Sequence, residues 1–590
     1  MIPENPNAIW AGAFLDEMAR SGVEVVCVAP GSRSTPLVLA AVADGRFRLV
    51  SVVDERSAGY FALGVGKGSG KPAAVITTSG TAGANLYPAV IEASQGEVPL
   101  LILTADRPHR LRDSDANQAV DQIRFFGPYA RAFFDVSLPR VGDRELKHLR
   151  AQACRAVALA EGPPPGPVHM NFPFEKPLEP SGKELGIEPD VSQLALKGRE
   201  GEEPFTRTSS TRLSVPEDEI RRHADLVSRA ARGLIVAGPI HGLHEVAEAV
   251  RALGAVTGFP VLADPLSGAR FGAPKGAQIV SGYDLFLRSP PARAALDPDL
   301  ILRVGASPTS AALLDFLRER EGVTQVVVDG GHRWKDHLAS AHEYIRADPA
   351  EFLSALAGRV TSGLDPRWPD TWSKAGDRVR EILGAEGGDE LEEGWIVRGV
   401  VEALPEGASL VVANSMPVRD LDAHVEPSAK VLRVFGNRGA SGIDGFVSTA
   451  IGVAASASSP TLAVAGDLSF FHDMNGLLTL SQEGPPVGFV VVNNDGGGIF
   501  QNLPVREFEP AFTRYFTTPH GLSFRSVADL YGLPYQRCDS RAAFSGSLAD
   551  FLAAGRPFVL EAIVSREGGY ASRQALVAAV LDAFEEDELG

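Results

Sequence analysis

Short apolar runs recur along most of the chain, and several end in Gly, Ser, Asp or Asn. They include VEVVCVAPG, PAAVITTSG, VPLLILTADRP, RGLIVAGP, LILRVGAS, TQVVVDGG, ASLVVANS, PTLAVAGD and VGFVVVNND. Each is continuously apolar rather than alternating, the pattern of parallel strands buried on both faces. Segments of helical periodicity separate them, so the chain reads as repeated strand–helix units. In sheets of that kind ligands collect beyond the carboxyl ends of the strands. The start of the chain, MIPENPNAIWAGAFLDEMARSG, predicts a capped amphipathic helix with Ile9, Trp10, Phe14 and Met18 on one side. It has no basic segment leading into an apolar stretch and a cleavage site, so no secretory leader is expected. No apolar run reaches the ~18 residues that a transmembrane helix needs.

Two polar, mixed-charge stretches interrupt the pattern, at 181–214 and 356–393, and read as linkers. They divide the chain into 1–180, 215–355 and 394–590. A chain of 590 residues is too long for one core. The predicted architecture is therefore α/β, three doubly wound domains with mostly parallel sheets. Composition changes little: 44% hydrophobic and 22% charged is ordinary for a globular protein. The net charge of −18 argues against nucleic acid and against a basic membrane-binding face. Small anionic ligands would need local arginines to overcome that field. The three cysteines, Cys27, Cys154 and Cys538, form neither a metal-spacing cluster nor a disulfide framework, which suits a reducing cytoplasm.

The chemistry concentrates in VAGDLSFFHDMNGLLTLSQEGPPVGFVVVNN. Asp467 lies just past one predicted strand and Asn494 ends the next, so both can sit at one sheet edge. Alone, Asp467 reads as a helix cap and Asn494 as a turn residue. Together, a carboxylate and a neutral amide oxygen suit a hard divalent cation that also holds a diphosphate. The stretch after Asp467 can open a helix whose start favours phosphate. Gly496 and its two following glycines let backbone approach the ion.

This pattern resembles the metal–diphosphate motif of thiamine-diphosphate enzymes, departing from it at Leu468, where a glycine is common. The resemblance implies thiamine diphosphate with Mg2+ (or Mn2+), and Asp467, Asn494 and Gly496 as metal ligands. It also implies a pyrimidine-binding first domain, a middle domain and a diphosphate-binding last domain. A glutamate in the first domain should then touch the aminopyrimidine ring. Glu55 in SVVDERSAGYFALGVG fits, and burial there would raise its pKa.

APGSRSTPL, TTSGTAGANLYPAVIEA, LTADRP, NQAVDQ and FGNRGASGIDGFVSTAIG occur in order along the chain. Together they closely resemble the 2-succinyl-5-enolpyruvyl-6-hydroxy-3-cyclohexene-1-carboxylate (SEPHCHC) synthase family of menaquinone and phylloquinone biosynthesis. That resemblance implies a transferase that decarboxylates 2-oxoglutarate and adds the resulting carbanion, in 1,4 fashion, to isochorismate. Both substrates are dianions, and Arg33, Arg107, Arg419 and Arg438 lie in the matching motifs, each soon after a predicted strand end, where a guanidinium can grip a carboxylate at two points. Ser32 and Gln118 match positions that hydrogen-bond substrate. Ile443 matches the apolar wedge between the cofactor's rings. Ser415, Gly466, Leu468, Ser469, Ile499 and Phe500 match positions on the cofactor or its cavity. The family also implies a homodimer or dimer of dimers with sites at the subunit interface. Two other readings stay open: an acetolactate-synthase-like carboligase, and a non-catalytic homologue.

Three further signals carry less. GVGKGSGKPA has the wrong spacing for a phosphate-binding loop and reads as the turn into the next strand. His169 reads as structural, and VAGPIHG holds no complete nucleotide fingerprint. Arg303, ending a strand in the middle domain, is expected to receive a regulatory anion.

Overall fold

Each of the apolar runs forms a strand in the computed structural model, which describes residues 5–180, 191–240, 244–274, 277–331, 333–385 and 387–585. The strands make three open sheets, and every pair within them is parallel among the described residues. The first holds β1 (Val25–Val28), β2 (Arg48–Ser51), β3 (Ala73–Thr77), β4 (Leu100–Asp106), β5 (Ala132–Asp135) and β6 (Pro167–Pro173), in the order β2-β1-β3-β4-β6-β5. The second holds β7 (Gly233–Ala237), β8 (Val261–Ala263), β9 (Leu300–Val304), β10 (Thr324–Val328) and β11 (Glu343–Ile345), in the order β11-β10-β9-β7-β8. The third holds β12 (Ser409–Val412), β13 (Arg433–Phe435), β14 (Thr461–Gly466), β15 (Val487–Asn493), β16 (Tyr535–Cys538) and β17 (Phe558–Ile563), in the order β13-β12-β14-β15-β17-β16.

Counted from its own first strand, the third sheet repeats the order of the first. In both, chain direction across the sheet reverses between the first and third strands. The connections leaving those two strands diverge and open a crevice at their carboxyl ends. Central strands β3, β4, β6 and β15 are buried along their whole length. Edge strand β2 exposes Arg48 and Ser51, as an edge must if it is not to pair with other chains.

The chain packs as two compact units. One comprises Met1–Thr211, Asn437–Ser458 and His472–Pro485, and the other Arg212–Gly436, Ser459–Phe471 and Pro486–Gly590. In the first, helix Pro6–Arg20 is capped by Asn5, whose Oδ1 accepts from the Ala8 N–H at 2.9 Å. The helix buries Trp10, Phe14 and Met18, and Phe14 meets Phe172 edge-on with ring centres 4.8 Å apart. Burying each such side chain contributes about 1.5–3 kcal/mol. Helix Glu55–Ser69 crosses helix Phe446–Ser456 almost backbone to backbone. A Cβ on Gly64 would lie 2.2 Å from the Thr449 carbonyl oxygen, and one on Gly452 would lie 2.1 Å from that of Phe61.

In the second unit, segment 356–393 is more than a connector. Its helix Arg367–Gly384 buries Trp368 and Trp372, and the Trp368 indole donates to the Gly233 carbonyl at 2.8 Å. Among the described residues no helix is long and apolar enough to cross a membrane.

The lesser signals resolve as well. The turn reading of GVGKGSGKPA holds only for its end: residues 64–69 close helix Glu55–Ser69, where Lys67 is buried and faces Glu92 at 3.5 Å. His169 lies in β6 against the Thr104 hydroxyl at 2.8 Å, and burial pushes its pKa down to about 3. Gly238 has no room for a side chain, since a Cβ would lie 1.7 Å from the Ala306 carbonyl oxygen; His241 and Gly242 of the same run lie outside the described residues. The expectation for Arg303 fails. Its guanidinium is buried and already holds Asp336 at 2.9 Å and the Ser340 hydroxyl at 3.0 Å, so it is a core ion pair rather than an anion receptor.

Candidate active site

Four residues predicted to contact substrate converge at the carboxyl ends of β1, β3 and β4. Arg33 follows β1: its N–H donates to Thr78 Oγ1 at 3.3 Å and its guanidinium to the Phe174 carbonyl at 2.9 Å. The same guanidinium is buried and its Nε has no hydrogen-bond partner. Arg107, just past β4, donates to Ser79 Oγ at 3.0 Å and to the Asn117 carbonyl at 2.7 Å. Gln118 donates to the Ser79 carbonyl at 2.9 Å. Ser32 is exposed beside them. Burial and then the Arg107 charge lower the pKa of Arg33, the signature of two cations gathered in one place. Gln118 sits at φ 57°, a left-handed conformation uncommon for a residue with a side chain.

Glu55 is the first residue of helix Glu55–Ser69, behind the N-cap Asp54. In the single chain it is half-buried, so the full burial expected of it is not met by this chain alone. Its neighbours are engaged. Arg56 donates to the His472 carbonyl at 2.8 Å, and the Ser57 hydroxyl to Asp473 at 3.2 Å. In the same unit, the loop carrying Arg438 and Ile443 is pinned at both ends. Glu92 accepts from the Gly439 and Ala440 N–H groups at 2.9 and 2.6 Å, and the Tyr60 hydroxyl donates to Asp444. Arg438 is half-buried and Ile443 is 37% exposed.

The second unit gathers the other set at the carboxyl ends of β12, β14 and β15. Asp467 follows Gly466, the last residue of β14, and is 1% exposed. Its carboxylate accepts from the Leu468 N–H at 2.6 Å and the Gly496 N–H at 2.9 Å, and His520 Nε2 stands 3.2 Å away. Burial pushes its pKa up, and the Gly496 N–H and His520 pull it back. Ser469 is buried beside it. Gly496 has φ 127° and no room for a Cβ, which would meet the Thr517 carbonyl oxygen at 2.1 Å. Ile499 and Phe500 follow on the short helix Gly498–Asn502, both half-buried.

The two asparagines of the NN pair differ. Asn493 donates to Glu561 at 2.6 Å and accepts from the Asp495 N–H at 3.0 Å, so its amide is used up by the fold. Asn494 donates to Glu393 at 2.7 Å, while its Oδ1 is buried with no hydrogen-bond partner. A buried amide oxygen left unpaired beside a buried carboxylate and a glycine backbone is a donor set that fits a hard divalent cation.

Two expectations shift. The helix opened by Asp467 runs only to His472, so the dipole at its start is that of a short helix. Arg419 is not on a strand-end loop but inside helix Met416–His424, where it donates to the Ser415 carbonyl at 2.5 Å. Burial lowers its pKa. Ser415, the N-cap of that helix, is held at φ 70° and ψ −125°.

Family models match along most of the chain: the thiamine pyrophosphate enzyme N-terminal TPP binding domain over 10–125, the middle domain of thiamine pyrophosphate over 199–412, and the C-terminal TPP binding domain over 424–562. The chain is 43% identical to the 2-succinyl-5-enolpyruvyl-6-hydroxy-3-cyclohexene-1-carboxylate synthase of Halorubrum lacusprofundi, with 100% of both chains covered. It is 44% identical to that of Halobacterium salinarum, covering 98% of each, and 42% identical to that of a Roseiflexus species, covering 97% of this chain and 98% of the other. The chain belongs to the SEPHCHC synthase family. A solved structure from Mycobacterium smegmatis, assigned as a thiamin diphosphate-dependent enzyme, shares the fold with a TM-score of 0.70 at 20% identity, covering 94% of this chain and 99% of that one.

Several residues around the SEPHCHC synthase motifs have no signal in the sequence. Glu393 lies 101 positions before the Asn494 that it holds. His520 reaches Asp467, and Ser79 joins Arg107 to Gln118. Glu92 and Tyr60 pin a loop more than 300 positions away. Tyr60, Ser79 and Glu92 lie in quoted motifs with nothing there to mark their contacts; Glu393 and His520 are ordinary residues until the fold brings them in.

Proposed function

We propose that this chain decarboxylates 2-oxoglutarate and adds the resulting succinyl unit to isochorismate, giving SEPHCHC and CO2 in menaquinone biosynthesis. The observation that carries this reading is the Arg33–Arg107 pair, two guanidiniums converging at the switch point of the first sheet in a protein of net charge −18. Each substrate is a dianion, and planar forks held on a rigid loop grip carboxylates at two points. An acetolactate-synthase-like enzyme takes a monoanionic 2-oxoacid and gives these arginines less to hold.

Thiamine diphosphate, when bound, supplies the nucleophilic carbon and the electron sink. Asp467, Asn494 Oδ1 and the Gly496 carbonyl hold Mg2+ or Mn2+, and Ser415, Gly466, Leu468 and Ser469 line the cofactor. Glu55 would hold and move a proton at its carboxylate, next to the aminopyrimidine ring of the bound cofactor. Ile443 would pack against the bound cofactor, and Ile499 and Phe500 would shield the cavity from water. Ser32, Arg33, Arg107, Gln118, Arg419 and Arg438 bind and orient the two substrates, which reduces the reaction to groups already placed. Glu55 and Asp467 stand on different compact units, and in the family reading the first domain of one subunit faces the last of another. The assembly is thus a homodimer or a dimer of dimers. Three buried free cysteines support a cytoplasmic setting.

The test is CO2 release with 2-oxoglutarate and pyruvate offered separately, each with isochorismate, with and without thiamine diphosphate and Mg2+. Release is expected from 2-oxoglutarate only when both are added. A clear preference for pyruvate would reject the assignment.

A further inference from the structure

We propose that Glu393 is a positioning residue that decides which end of the Asn494 amide faces the metal, with Arg573 as its anchor. The proposal rests on the reading of Asn494 as a metal ligand. Glu393 opens helix Glu393–Ala403 and is 8% exposed. One of its oxygens accepts from Asn494 Nδ2 at 2.7 Å and the other from Arg573 at 2.6 Å. A carboxylate can only accept, so the NH2 end of the amide must turn to Glu393 and the oxygen must turn away. That oxygen is the buried, unpartnered Oδ1. Without this constraint the two orientations of an amide are nearly alike in shape, and half of them would aim N–H groups at a cation.

Arg573 keeps the carboxylate in place and reaches further. It also donates to Asp420 at 3.1 Å, the residue after Arg419 on helix Met416–His424. One half-buried guanidinium therefore ties the orientation of a metal ligand to the helix that carries Ser415 and Arg419. An ordinary core ion pair would need no asparagine at its end. Here the asparagine is attached by its donor side, with its acceptor side left for something else.

The chemistry predicts a specific failure. In Glu393→Gln, Arg573 claims the new amide's oxygen, so its NH2 turns to Asn494. Asn494 must then flip to offer its oxygen to Gln and its NH2 to the metal. Mn2+ affinity in the presence of thiamine diphosphate, read from the electron paramagnetic resonance signal of free Mn2+, should fall about 10–100-fold, the usual cost of losing such a supporting partner. Asn494→Asp alone sets two carboxylates face to face and should also weaken Mn2+. The double variant Glu393→Gln/Asn494→Asp should bind Mn2+ more tightly than either single variant. In it the Gln donates to one oxygen of the Asp and leaves the other for the metal. A packing role for Glu393 gives no such rescue. If Glu393→Gln folds poorly by circular dichroism, the comparison of Asn494→Asp with the double variant decides alone. Unchanged Mn2+ affinity in Glu393→Gln, or a double variant that does not bind Mn2+ more tightly than each single one, overturns the proposal. Unchanged affinity in Asn494→Ala instead overturns the reading of Asn494 as a ligand.

Discussion

Glu55 shows how little a single residue announces. It is the first residue of its helix and half-exposed, which is where a solvated glutamate commonly sits. The role proposed for it follows from position, with Arg56 and Ser57 binding the 472–473 turn so that the start of the helix is fixed. Glu55→Gln keeps size and hydrogen bonding but removes the proton acceptor. Turnover is expected to fall about 10²–10⁴-fold, the range for a positioned acid–base group, with thiamine diphosphate still bound by calorimetry. Undiminished turnover would remove Glu55 from the mechanism. The same limit shows which parts of the site the sequence made legible. Asp467 and Asn494 could be picked out because the strand pattern placed both at one sheet edge. Which asparagine of the NN pair had a spare oxygen could not, because that depends on Glu561 and Glu393, which only the fold delivers. Nor could the left-handed backbone at Ser415 and Gln118 be read, since neither residue type asks for it.

At the level of elements the strands were easy to read and the helix contacts were not. A strand buried on both faces writes its burial as an unbroken apolar run, so nine runs predicted nine strands. The crossing of helices Glu55–Ser69 and Phe446–Ser456 is instead written as glycines, which read in sequence as weak helix formers. Helices Met416–His424 and Glu393–Ala403 meet by the same device. A Cβ on Gly394 would lie 2.4–2.5 Å from ring atoms of His424, so the glycine makes room for the imidazole. Burial, with Arg573 and Arg398 adding to it, pushes the His424 pKa down to about 3. The unfolded chain, with an ordinary histidine near 6.5, takes up the proton first as pH falls. The contribution of His424 to stability is therefore complete above about 6.5 and is lost on the way down towards 3. Relative to His424→Gln, the native protein should lose about 2 kcal/mol between pH 7 and pH 5. The urea midpoint of the transition that unfolds this unit, measured for both proteins at both values, checks it. A gap that stays constant with pH would show that the imidazole is not neutral in the folded state.

Across the whole molecule, the first and third sheets share one strand order, and the predicted ligand-binding residues fall at the same place in each. In the first, Arg33 follows the first strand, and Thr78 and Ser79, its neighbours rather than predicted ligands, follow the third. In the last, Ser415 follows the first strand and Asp467 follows the third. Each sheet thus offers its switch point, and each carries only part of the predicted chemistry: Arg33, Arg107 and Glu55 on one, the metal set and Arg419 on the other. The proposed joining of the two halves between subunits predicts that defects can complement. Glu55→Gln and Asp467→Ala homodimers should each be nearly inactive. A mixed dimer has one site that receives both lesions and one that receives neither. After dissociation and random reassociation of equal amounts, half of the dimers are mixed with one intact site each, so activity should return to about a quarter of the native level, as two-fold symmetry requires. Sites built within one chain would give no recovery, because every subunit would carry its own lesion into its own site. Recovery should also depend on protein concentration over the range where sedimentation shows subunits exchanging. Activity that appears without exchange would place the complementation outside the dimer interface.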